Sequence, residues 1–183
     1  LLNGSAVSVN WADENIPAIL EAWYPGQAAG SAIADVLFGD ANPGGRLPVT
    51  FYKSVEQLPS FEEYDLTSQT YRYFDGEPLY PFGHGLSYTT FEYSNFELPE
   101  TAPNGKPFQL SVTVTNTGEV AGDEVVQIYV SDDEASAEVP LRSLVAFQRV
   151  TLEPGKSQTV QIPVRPVDLS MFNADYQRVV EPG

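Results

Sequence analysis

The second half of this chain alternates apolar and polar residues with a period of two, and this pattern restricts its fold more than any other feature. In residues 108–115 one set of side chains is apolar and the intervening set is polar: Phe108, Leu110, Val112 and Val114 against Gln109, Ser111, Thr113 and Thr115. Successive side chains of a β-strand point to opposite faces, so this spacing is typical of a strand with one buried and one solvated face.

The same alternation recurs twice further along the chain. The apolar sets are Val126, Ile128 and Val130, then Val160, Ile162 and Val164. Residues suited to turns separate the strands, as Asn-Thr-Gly at 116–118 and Glu-Pro-Gly-Lys at 153–156. Short strands at regular spacing predict an antiparallel β-sandwich over residues 91–183, with all ten of these apolar side chains buried. Because the chain stops just after a turn, we expect this domain to lack its last strand.

Residues 1–52 have a different pattern. Short apolar runs predict three strands, at 1–9, 16–23 and 46–52. Residues 27–38 carry apolar side chains at helical spacing, and Gly39 is suited to end that helix. Strands alternating with a helix indicate an α/β fold with a parallel sheet.

This first region is too short to be a complete α/β domain, because a parallel sheet needs several such units to cover both of its faces. Residues 53–88 have no clear period and predict a long irregular connection. We therefore interpret residues 1–90 as the C-terminal part of an α/β sandwich domain. We expect its apolar strand faces to be covered either by residues 53–88 or by another chain, and we place the boundary to the sandwich within residues 90–94.

Composition excludes several classes of function. The formal net charge of −16 disfavours nucleic acid and anionic membrane surfaces as partners. No apolar run approaches the roughly 20 residues that cross a bilayer. The absence of cysteine rules out disulfides, zinc thiolate sites and cysteine nucleophiles, and we expect no metal and no cofactor.

The compartment of the protein stays open, with a periplasmic or extracellular location favoured over a cytoplasmic one. Since the chain starts Leu1-Leu2-Asn3, we expect its true N-terminus to be missing.

Three stretches, in this order and spacing, resemble the C-terminal part of glycoside hydrolase family 3, the β-glucosidases and β-xylosidases. They are AWYPGQAAGSAIADVLFGDANPGGRLPVTFY at 22–52, TYRYFDGEPLYPFGHGLSYTTF at 70–91 and VTVTNTGEVAGDEVVQIYV at 112–130. A further stretch, PLRSLVAFQRVTLEPGKSQTV at 140–160, is similar to the fibronectin type III-like domain of that family. The resemblance covers nearly the whole chain.

The resemblance implies an exo-acting, retaining β-glycosidase that releases terminal β-linked glucose or xylose from a glycoside or oligosaccharide. In the family a barrel domain holds the aspartate nucleophile and the α/β domain supplies an acid/base glutamate. The motifs here assign neither role to a residue of this chain, so we expect the fragment alone to be inactive and to serve as scaffold and cleft rim. The missing barrel is then a partner, in the same polypeptide or another chain. A non-catalytic carbohydrate-binding or adhesive β-sandwich module is the alternative.

Trp23, Tyr24 and Gln27 are the candidate sugar-binding residues. A loop between an α/β strand and its helix lies at the carboxyl end of the strand, where ligands gather, and aromatic faces and amides suit sugars. The competing interpretation is that Trp23 and Tyr24 fill an interface between layers, because large aromatic residues most often bury area.

Other polar residues favour structural interpretations. The acidic clusters Glu62, Glu63 and Asp65, and Asp132, Asp133 and Glu134, lie in polar segments where nothing raises a carboxyl pKa. His84, the single histidine, lies in a glycine-flanked turn and is expected to hydrogen-bond that turn, with a substrate contact as the alternative. Tyr71, Arg72 and Tyr73 are expected to stack with one another. An aromatic platform on the sandwich has only two candidates, Tyr129 and Phe147.

Overall fold

The computed structural model describes residues 1–102 and 105–181. The chain divides into two compact units, Leu1–Leu86 and Ser87–Gly183. The first contains three short helices, α1 (Asn10–Asn15), α2 (Ala29–Phe38) and α3 (Thr70–Tyr73), and a 3₁₀ turn at Val55–Gln57. The second contains β1 (Phe91–Glu97), β2 (Phe108–Asn116), β3 (Gly122–Val130), β4 (Ser143–Leu152), β5 (Ser157–Val164), a 3₁₀ turn at Pro166–Leu169, β6 (Met171–Phe172) and β7 (Arg178–Val179).

The second unit is the expected antiparallel β-sandwich. One sheet has the strand order β1-β2-β5 and the other consists of β3 and β4, while β6 and β7 form a separate hairpin. Every strand pair described is antiparallel. Side chains from both sheets meet in one apolar core. The hairpin of β6 and β7 was not predicted, because two-residue strands are too short to show a period.

The predicted register of the sandwich is confirmed for most of the alternating residues. Seven of the ten are buried: Leu110, Val112, Val114, Val126, Val160, Ile162 and Val164. Phe108, Ile128 and Val130 are only half-buried. Phe108 begins β2 and Val130 ends β3, where fewer neighbours cover a side chain, and a bulge follows Ile128. Val150 and Leu152 of β4 complete the core.

Asn116 is a fully buried polar residue at the end of β2, and it connects the two sheets. Its side-chain oxygen accepts hydrogen bonds from the Thr89 hydroxyl at 2.6 Å and from the Gly118 N–H at 3.1 Å. Its amide nitrogen donates to the carbonyl oxygens of Val120 and Leu152, both at 2.8 Å. The two N–H donors and the two acceptor positions of the amide are thereby all used in hydrogen bonds, as a buried polar side chain requires.

The parallel sheet predicted for the first unit is not seen among the described residues. None of the described residues forms a parallel ladder, and no strand is assigned within the three predicted runs, at 1–9, 16–23 and 46–52. Leu1 donates to the Leu20 carbonyl and accepts from the Ala22 N–H, and in the third run Phe51 alone forms a bridge, to Tyr80. A strand requires a hydrogen-bonded neighbour along its length, which these short runs do not supply to one another.

The predicted helix at 27–38 is confirmed as α2, which begins two residues later than expected. Gly39 ends it in the left-handed conformation, with φ of 84°, as glycine readily does. Its apolar side is only partly covered, since Ile33 is half-buried while Leu37 and Phe38 are exposed. No described helix is long and apolar enough to cross a membrane.

The register of β5 provides a stability test with a matched control. Val160 is 1% exposed and its neighbour Gln161 faces solvent on the other side of the strand. We expect Val160→Ala to lower the free energy of unfolding by about 2 kcal/mol, because it leaves a cavity in the closed core. Gln161→Ala should change it by no more than about 0.5 kcal/mol. Equal effects of the two substitutions in urea titrations would contradict this register.

Candidate functional site

The turn at residues 23–27 leads into α2 and carries the three predicted sugar contacts. Trp23 has a left-handed backbone with φ of 53°, which is strained for a bulky side chain. Its N–H donates to Glu21 Oε1 at 2.8 Å, and this bond holds the strained residue in place. Trp23 is half-buried, whereas Tyr24 and Gln27 are exposed.

The two aromatic side chains of this turn have different surroundings. The Trp23 ring meets the buried ring of Phe51 edge-on, with 6.0 Å between centroids. The Tyr24 ring lies directly against the backbone of Gly4, where a Cβ atom would collide with it, and the residue is still 79% exposed. The interface interpretation therefore fits Trp23, while Tyr24 and Gln27 are accessible to a ligand.

Glu21 was not singled out from the sequence, although it supports this turn. Its second carboxylate oxygen, Oε2, is buried and has no hydrogen-bond partner among the described residues. A buried oxygen without a partner is uncommon and costs free energy. A lone glutamate in an apolar run has no motif that could have revealed its role in the sequence.

Phe51 is the centre of the first unit and is 2% exposed. The ring of Tyr80 meets it edge-on, with 6.1 Å between centroids. The backbones of the two residues also bond, since the Phe51 N–H donates to the Tyr80 carbonyl at 2.8 Å. The irregular connection at residues 53–88 therefore contacts the first segment at Phe51.

His84 lies next to this aromatic cluster. Its ring stacks on Tyr80, with 5.3 Å between centroids and 14° between planes. Its carbonyl accepts from the Leu47 N–H at 2.8 Å. A Cβ atom on Gly85 would collide with the Gly45 carbonyl, so the turn needs glycine there. His84 is thus held by ring stacking and by its backbone hydrogen bond.

Asp13 connects α1 to the same cluster, because the Tyr80 hydroxyl donates to its Oδ1 at 2.5 Å. Burial, together with this carboxylate, raises the pKa of Tyr80 to about 12. Burial also lowers the pKa of His84 below its ordinary value. The positive charge of Arg46 adds to that lowering, and the negative charge of Asp13 opposes it.

The remaining candidates lie elsewhere. Glu62, Glu63 and Asp65 are exposed, and Asp133 and Glu134 are exposed in the loop after β3, with Asp132 half-exposed. The Tyr71 ring of α3 stacks on Phe82, with 4.1 Å between centroids, and the Arg72 guanidinium lies 5.8 Å from the Tyr73 ring centre. The Tyr129 hydroxyl donates to Gln127, and Phe147 is exposed.

Among the described residues no cluster of acidic or histidine side chains could hold a metal ion.

Residues 1–88 match the glycosyl hydrolase family 3 C-terminal domain, and residues 124–183 match the fibronectin type III-like domain. The chain thus carries a glycosyl hydrolase family 3 C-terminal domain followed by a fibronectin type III-like domain. It is 49% identical to a β-xylosidase of Formosa agariphila, covering 100% of this chain and 26% of that protein. It is 42% identical to a periplasmic β-glucosidase of Salmonella typhimurium, with the same coverage of 100% and 26%.

The comparison with solved structures gives the same similarity as the comparison of sequences. The β-glucosidase of Listeria innocua in complex with glucose superposes with a TM-score of 0.87 and 34% identity, over 100% of this chain and 27% of that one. The chain thus spans about a quarter of the length of these family 3 proteins. It corresponds to their C-terminal part.

The single histidine makes the cluster around Tyr80 testable by NMR. Because the pKa of His84 is lowered, the folded state favours its neutral form, and the free energy of unfolding falls as pH drops below about 6.5. The chemical shift of a His84 ring proton should therefore change with a midpoint at lower pH in the folded chain than in the urea-unfolded chain. Asp13→Asn should lower that midpoint further, and Arg46→Gln should raise it. A folded midpoint at or above the unfolded one would refute this account of the cluster.

Proposed function

We propose that this chain is the C-terminal part of an exo-acting, retaining β-glycosidase that releases terminal β-linked glucose or xylose. The observation that carries the proposal is the end-to-end similarity to β-xylosidases and β-glucosidases, which covers the whole chain but only about a quarter of those proteins. The missing three quarters then contain the barrel domain and the catalytic carboxyl groups.

The chemistry of the chain supports this division of labour. A retaining mechanism needs two carboxyl groups about 5–5.5 Å apart, one of them kept protonated by its surroundings. The acidic clusters at Glu62–Asp65 and Asp132–Glu134 lie in largely exposed loops, which provide no such surroundings. The aromatic cluster around Phe51 is a scaffold on which the exposed turn at residues 23–27 is held.

The first test of this function is a chimera. The isolated chain should not hydrolyse aryl β-xylosides or β-glucosides, because loss of either carboxyl role removes the chemical step. The same chain, spliced in place of the matching region of the Formosa agariphila β-xylosidase, should give an active enzyme. The chimera with its nucleophilic aspartate replaced is the background control. Turnover by the isolated chain clearly above that background, or an inactive but folded chimera, would count against the proposal.

In this proposal Tyr24 and Gln27 form part of the rim of the sugar-binding cleft, with Trp23 anchoring the turn on Phe51. In the chimera, Tyr24→Ala should raise KM for a β-linked oligosaccharide about tenfold with little change in kcat, since truncation of an exposed aromatic contact weakens binding rather than chemistry. Tyr176→Ala, at an 89% exposed position of the sandwich unit, is the matched control. If both variants retain the parent KM, Tyr24 has no role in binding sugar.

A further inference from the structure

The turn at residues 23–27 begins with a backbone conformation that its first residue does not favour. Trp23 has φ of 53°, in the left-handed region, which glycine adopts freely and a bulky residue does not. Gly26, in the same turn, has φ of 72° without any such conflict. A bulky residue in the left-handed region persists only when the surrounding structure holds it there. Something other than the preference of Trp23 therefore fixes the start of this turn.

The side chain of Glu21 supplies that restraint. The Trp23 N–H donates to Glu21 Oε1 at 2.8 Å, so its acceptor is a side chain two residues earlier in the chain. The preceding N–H, that of Ala22, donates to a backbone carbonyl instead, that of Leu1 at 3.0 Å. Because Trp23 is half-buried, its N–H needs a partner within the protein. Without the Glu21 carboxylate the left-handed conformation would lose the bond that favours it.

The Glu21 carboxyl group is itself in costly surroundings. Its Oε2 is buried and has no hydrogen-bond partner among the described residues, which costs free energy. This unpaired oxygen and the left-handed Trp23 are joined by a single hydrogen bond. Departures of this kind from local preference concentrate at functional sites, where a fixed geometry matters more than local stability.

The restraint on Trp23 determines where the exposed side chains of the turn lie. The Trp23 ring is fixed on Phe51, with 6.0 Å between centroids, and the Tyr24 ring lies against the backbone of Gly4. Rotation about the N–Cα bond of Trp23 would turn the chain that follows relative to the chain before it. The Tyr24 ring and Gln27 would then move away from their present positions.

We propose that Glu21 is a positioning residue for the sugar-binding rim. Its carboxylate holds Trp23 in the left-handed conformation and thereby presents Tyr24 and Gln27 to the sugar. Glu21 acts through the backbone of Trp23 and not by contact with the sugar. The role of the rim in binding sugar rests on the proposed function, whereas the restraint on Trp23 does not.

The first arm of the test measures the restraint alone, by amide hydrogen exchange in the 183-residue chain. Glu21→Ala should speed exchange of the Trp23 N–H at least about tenfold, because the acceptor is lost. Glu21→Gln keeps an acceptor oxygen on a side chain of equal length, and exchange should stay within about twofold of the parent. Glu14→Ala removes an exposed glutamate of α1 and is the matched control. Unchanged exchange in Glu21→Ala would overturn the proposal.

The second arm measures binding of xylotriose by calorimetry, in the chimera whose nucleophilic aspartate is replaced, so that no turnover is needed. Glu21→Ala should weaken association about tenfold and Glu21→Gln less than about twofold. In a background of Tyr24→Ala with Gln27→Ala, Glu21→Ala should add less than about twofold, because no rim side chain is left to position. An equal loss in both backgrounds would show a merely structural role and overturn the proposal. Circular dichroism verifies folding, and Glu21→Leu, which also lacks an acceptor, replaces Glu21→Ala if that variant does not fold.

The two arms distinguish this proposal from the proposed function. A chimera with an intact nucleophile that turns over no substrate, together with the expected ratios of xylotriose binding, would refute the proposed function and support the role of Glu21. An active chimera in which Glu21→Ala leaves xylotriose binding unchanged would support the function and refute the role of Glu21. A folded chimera that binds no xylotriose would overturn both.

Discussion

The sandwich unit depends on the four hydrogen bonds of the Asn116 side chain. This buried amide connects the segment before β1, through Thr89, to the turn after β2, through Gly118 and Val120, and to the end of β4, through Leu152. Apolar contacts are non-directional and hold the two sheets together without specifying how the strand ends meet. A fully satisfied polar group in that interior specifies the meeting point, because any other arrangement leaves buried donors and acceptors unpaired.

The first unit is stabilised in a different way. Its segments are joined by ring contacts that run from Trp23 through Phe51 and Tyr80 to His84, and by single hydrogen bonds between backbones. Large aromatic rings bury much area per residue and so hold these segments together. Many large apolar side chains remain exposed, among them Trp11, Leu37 and Phe38.

Some features of the candidate site could be read from the sequence and others could not. The residue types Trp23, Tyr24 and Gln27 and their position before a helix were sufficient to single out the turn. Their division into one packed ring and two exposed side chains depends on Phe51 and Gly4, which are distant in sequence. The Asp13–Tyr80 bond had no sequence signal, because these two residues are far apart in the chain. Glu21 had none, because a lone glutamate in an apolar run forms no motif.

By itself the sequence determined the sandwich, its register and the helix before Gly39, because alternation and helical spacing are local consequences of backbone geometry. It also carried the family motifs. Only the tertiary structure decided that the apolar runs in the first unit do not form a parallel sheet, since a strand exists only where another segment supplies hydrogen-bond partners. Only the tertiary structure likewise decided that Val150, Leu152 and Asn116 are buried. Their burial depends on which strands face each other, and that is a property of the assembled chain rather than of any local stretch of it.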